Sequence, residues 1–156
     1  MNDAQFTLIV QTLLANLRAG NLWYHGAHHV TVGAGFHGDH KFYRQVYEQY
    51  NADFDGATEK AIVMLGVSIA APAAISATAA KIVASMPVVA GQNGMQIAAA
   101  ALQVEKQMIS LVEKIFRDLE GAGRLSLGMN DFLAALANAH ETNVYKLTQR
   151  VSGGAG

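Results

Sequence analysis

Five of the six histidines lie between positions 25 and 40: His25, His28, His29, His37 and His40. Two acids follow, Asp55 and Glu59, at a spacing that puts both carboxylates on one face of a helix. Imidazole nitrogen and carboxylate oxygen together suit iron and zinc. The chain has no cysteine, so thiolate metal sites, disulfides and cysteine nucleophiles are excluded. His40, Arg44, Tyr47, Asn51, Asp55 and Glu59 recur in steps of three or four and form one polar stripe. A solvated helix face would carry more Lys and Glu; a stripe facing a second subunit accommodates Tyr47 and Asn51 at least as well. His40 and Asp55 stand ~22 Å apart along a helix that rises 1.5 Å per residue, so they cannot hold one ion within one chain. If both are ligands, the site joins opposite ends of this helix from two antiparallel subunits, and two-fold symmetry gives two identical sites per dimer.

Other chemistries are missing from the pattern. No Glu-x-x-His occurs, which removes the carboxylate-histidine motif of an in-bundle di-iron centre. There is no phosphate-binding glycine loop, and Gly33-Ala34-Gly35 reads as a helix break. Met64, Met86, Met95, Met108 and Met129 read as core filler. His140, beside Glu141, reads as an ordinary polar residue, since no second His completes a zinc-protease motif. A formal net charge of -1 gives no general attraction to nucleic acid or anionic membrane.

The elements that must position these residues are all helical. Phe6, Ile9, Leu13, Leu17 and Tyr24 predict a first helix over about Asp3 to Val30. Tyr43, Val46, Tyr50, Phe54, Ala57, Ala61 and Met64 predict a second over about Gly38 to Leu65, with Gly66 as its stop. A short helix is expected from Pro72 to Ser85, with Pro72 in its first turn. Two more long helices follow, about Asn93 to Leu119 and Ser126 to Arg150. Residues 1–151 are thus expected to form one domain and 152–156 a flexible Gly-rich tail. From Ala61 to Val104 the single charge is Lys81, yet Gly66, Pro72, Pro87, Gly91 and Gly94 interrupt the stretch. It reads as a small-residue connector buried between subunits, not as a membrane span. The N-terminal residues lack the basic region of a secretory signal, so the cytoplasm is the expected compartment.

One segment is more specific. His28-His29-Val30-Thr31-Val32-Gly33-Ala34-Gly35-Phe36-His37-Gly38-Asp39-His40 resembles the His-Trp-x-x-x-Gly-x-x-Phe-x-x-Leu-His segment of the Dps family of mini-ferritins. Asp55 and Glu59 stand where that family places its two carboxylates, 15 and 19 residues after the second His. The resemblance implies an all-α, ferritin-like four-helix bundle with a short helix in the long crossover between helices two and three. It implies metal ligands His28 and His40 from one subunit, with Asp55 and Glu59 from its two-fold partner. It also implies a hollow dodecamer that oxidises Fe(II) with hydrogen peroxide or dioxygen and stores the Fe(III), protecting against oxidative stress; zinc is a possible substitute ion.

Departures from the family pattern sharpen the expectations. Arg44 replaces a further family Asp, and a permanent cation there opposes a second iron or pairs with Asp55 or Glu59 across the interface. His37, one turn before His40, is a candidate compensating ligand. His29 takes the family's Trp position and is expected to be buried packing, and His25 an interface residue. Asp131 matches acids that line three-fold pores in the family, with Glu120 as a candidate companion. The alternatives are a DNA-compacting particle and a structural zinc-binding helical assembly. Strong DNA binding is not expected, because the first 40 residues hold no Lys and one Arg, and no charge follows Arg150.

Overall fold

The computed structural model describes residues 1–153. Four long helices and one short one carry the chain: α1 (Asp3–Val30), α2 (Phe36–Leu65), α3 (Pro72–Ser85), α4 (Gly94–Gly121) and α5 (Leu127–Ser152). A 3₁₀ turn, Val67–Ala70, precedes α3. No strand occurs among the described residues. The expected tail falls partly within α5, which runs to Ser152, and residues 154–156 lie outside the described part.

The helix ends have local causes. Asn2 and Asn93 open α1 and α4 with reciprocal capping boxes to Gln5 and Gln96. Ser126 caps α5 through the Met129 amide, and Pro72 sits in the first turn of α3. The short loops 31–35 and 122–126 fold α1 against α2 and α4 against α5 as two hairpins. The connector of residues 66–93 joins the hairpins and lays α3 along α1.

The apolar faces meet in one core. Phe6, Leu13, Leu17, Tyr24, Tyr43, Val46, Tyr50, Ala57 and Ala61 are buried there, and Ile9, Phe54 and Met64 pack on its edge. Helix α2 can lie this close to α1 because residue 20 is glycine; a Cβ there would collide with the Tyr50 ring. No helix among the described residues is long and apolar enough to cross a membrane.

Candidate metal centre

The end of α1 and the start of α2 bring two of the expected ligands together. The rings of His28 and His40 are stacked, with centroids 3.7 Å apart. Their backbone contacts are reciprocal: His28 Nδ1 donates to the carbonyl of His40, and His40 Nδ1 donates to the carbonyl of His28, each at 2.8 Å. A carbonyl only accepts, so each Nδ1 carries a proton and the Nε2 of each ring is the atom left to ligate an ion. This is the arrangement by which a backbone carbonyl orients a ligating histidine. The His28 carbonyl belongs to the last turn of α1, where it has no helical partner, so the same bond closes the helix end. His28 is buried and His40 half-buried.

The turn that carries the pair is pinned from α5. Arg150 grips Asp39 with both oxygens engaged, at 2.8 and 3.0 Å, and also donates to the Ala34 carbonyl at 3.0 Å. Asp39 is buried, and its hydrogen bond raises the pKa of Arg150 further. Gly35 has φ +91° and lies against the guanidinium, so a side chain there would be strained and would meet Arg150. The acid at position 39, a departure from the family pattern in sequence, is therefore the anchor of this turn.

The other expected ligands lie elsewhere. Asp55 and Glu59 are exposed, toward the far end of α2, ~22 Å and ~28 Å from His40 by helix rise. Asp55 accepts a long 3.5 Å contact from Asn51, which in turn meets Arg18 at 3.5 Å. Among the described residues, no three His, Asp or Glu side chains of one chain gather to hold an ion. Arg44 is exposed and pairs with Glu48 one turn on, at 2.9 Å, rather than with either carboxylate of its own chain. His37 is exposed, edge-on to Phe36. His29 is exposed, contrary to the expectation of buried packing, and its Nε2 lies 3.2 Å from that of His25. Asp131 and Glu120 are both exposed.

A second histidine-carboxylate centre was not expected. His140, expected to be an ordinary polar residue, is fully buried and part of a polar network. Its Nδ1 donates to Glu105 Oε2 at 2.7 Å. Asn143 donates to the same oxygen at 2.9 Å and Tyr50 donates to Oε1 at 3.1 Å. Glu105, with 0% exposure, thus accepts three bonds, as suits a carboxylate. Burial and the neighbouring Glu105 push the Tyr50 phenol well up. His140 Nε2 has no partner and faces Asp53 at 4.0 Å. The signal was present in the sequence. Ala101, Glu105, Met108 and Val112 share one buried seam of α4, and Leu133, Leu136, His140, Asn143 and Leu147 share one of α5. A polar residue at a seam position must find its partners inside.

No protein-family model and no curated protein sequence matches the chain. Solved structures do resemble it. Dps of Mycobacterium smegmatis in a tetragonal form superposes with a TM-score of 0.76 at 23% identity, covering 92% of this chain and 84% of that one. A C-terminal deletion mutant of the same protein gives 0.78 at 20% identity over 94% and 98%. The Helicobacter cinaedi protein CAIP gives 0.77 at 16% identity over 93% and 98%. With its two helical hairpins and the short helix in the crossover, the chain has the Dps fold.

Proposed function

We propose that the chain is an iron-oxidising and iron-storing mini-ferritin whose Fe(II) substrate binds between two subunits. His28 and His40 supply nitrogen from one subunit, and Asp55 and Glu59 supply oxygen from its two-fold partner. The observation that carries this reading is the reciprocal carbonyl clamp on His28 and His40, which orients both rings and leaves their Nε2 atoms to ligate. The exposed Asp55–Glu59 pair on the same helix stripe as His40 complements it. Two imidazoles hold Fe(II), and two carboxylates stabilise the harder ferric ion as it forms. Each Fe(II) gives up one electron; hydrogen peroxide takes two, with two protons, and leaves as water. Dioxygen is the alternative oxidant. The ferric product collects inside a closed shell, for which a dodecamer is the reading, and the protein contributes ligands, orientation and exclusion of reactive oxygen species.

A split site is tested by mixing damaged subunits. His40→Ala and Glu59→Ala shells should each oxidise Fe(II) poorly. A mixed dimer then contains one doubly damaged site and one intact site, so co-assembly should restore activity. Mixed shells as inactive as either parent would show that the ligands are not divided in this way.

A further inference from the structure

The His28–His40 clamp uses two of the clustered histidines and leaves another pair beside it. His25 and His29 are separated by one turn of α1 and both are exposed. Their rings lie 4.9 Å apart by centroid, with the two Nε2 atoms converging to 3.2 Å. Two nitrogens bound to one ion at about 2.0–2.1 Å stand about 2.9 Å apart at a right angle and about 3.4 Å apart at a tetrahedral one. The observed separation falls between these values, so an ion can be seated with little movement of either ring. Histidines at i, i+4 on one helix face are also the spacing by which helical motifs chelate zinc.

Neighbouring rings hold the pair in place. Tyr47 packs against His25 at 4.8 Å, and His28 stands edge-on to His29 at 4.9 Å. At this separation one Nε2–H donates to the other Nε2. Moving that proton to Nδ1 frees both lone pairs at no cost in charge. Within the chain, exposure leaves the remaining coordination positions open.

We infer that His25 and His29 form a separate bidentate site for divalent transition ions that favour imidazole, with Cu²⁺ bound most tightly and Zn²⁺ less so. The site is complete within one chain and does not rest on the shared iron centre. It places a nitrogen-rich cation site on α1.

The test is a Cu²⁺ titration of the assembled protein, read by electron paramagnetic resonance and by the number of ions bound per subunit. His25→Ala and His29→Ala should each lower that number by one and remove one two-nitrogen copper signal. Asp55→Asn should keep the signal while Fe(II) oxidation falls. His25→Ala that binds as much copper as the parent, with an unchanged spectrum, would overturn the site. So would loss of the signal in His29→Ala alone, since His29 would then work with a different partner. Loss in Asp55→Asn would merge the pair with the shared centre and overturn its independence. Both residues are exposed, so the variants should fold, and an unchanged circular dichroism spectrum verifies this.

Discussion

Two of the molecule's histidine groupings are built from similar parts and fitted to opposite ends. In the bundle interior, His140 gives its Nδ1 proton to Glu105, a carboxylate that also takes bonds from Tyr50 and Asn143. At the end of the bundle, His28 and His40 give theirs to backbone carbonyls, and the carboxylates that would complete the set lie at the far end of α2. The inner centre is closed within one chain and surrounded by core. The outer one has oriented lone pairs and no acid of its own chain to occupy them. The difference lies in access and completeness. A buried imidazole bonded to a buried carboxylate knits α2, α4 and α5 together, whereas the carbonyl-clamped pair, one ring buried and one half-buried, would under the proposed reading take its acids from a second subunit.

The comparison breaks first at Glu105. Removing one partner of a buried charged network leaves several donors without an acceptor, at a cost of about 3–5 kcal/mol. Glu105→Ala should therefore lower the melting temperature more than any substitution at the outer centre, with poor assembly as a consequence. A thermal melt close to the parent's would show that the inner network contributes little. Glu59→Gln is the counterpart. It should leave the melt nearly unchanged, because Glu59 is exposed, while slowing Fe(II) oxidation by at least about tenfold, the scale seen even for groups that merely support metal ligands. Stopped-flow absorbance of ferric product reads this directly; an unchanged rate would remove Glu59 from the site.

Sequence periodicity reached the fold because the apolar residues obey it. Helix α1 and the short α3 have the ends expected of them, and α2, α4 and α5 differ by one or two residues. The two extra residues at the start of α2, from Phe36, follow from a glycine with φ +91° rather than from a capping side chain. The approach of His28 to His40 was legible through the spacing shared with a known family. Their carbonyl clamp was not, since it depends on ring orientation. Glu105 and His140 escaped because each is a single polar residue in an otherwise apolar seam, and their partnership joins helices 35 residues apart in sequence. His29 was misplaced because position alone suggested an aromatic packing role, whereas the structure turns it outward toward His25.

A smaller effect is expected where the outer centre meets α5. The Asp39–Arg150 pair joins the histidine-bearing turn to the last helix, and hydrogen bonds to charged groups of this kind contribute about 1.5–3 kcal/mol. Asp39→Asn keeps the shape and weakens the grip. It should lower the melting temperature modestly and slow Fe(II) oxidation without abolishing it, since both imidazoles remain. A larger loss of stability than in Glu105→Ala would reverse the ranking of the two centres.

The smallest effect concerns Asp53, which faces the unpartnered Nε2 of His140 at 4.0 Å. Burial raises its pKa most, and Glu105 adds to this; His140 and the Gln49 side chain pull in the other direction without cancelling it. The folded protein therefore holds this proton to a higher pH than the unfolded chain does. Ionised Asp53 costs the folded state stability at neutral pH, and that cost disappears as the pH falls through the raised pKa toward the ordinary carboxylate value. Asp53→Asn should remove the cost. The variant should melt slightly higher than the parent at pH 7, and the two curves should converge as the pH is lowered. A variant that melts lower than the parent at pH 7 would mean that attraction between Asp53 and His140 outweighs burial. The inner centre would then be an ion pair reaching to the bundle edge, and the distinction between a closed centre and an open one would be weaker.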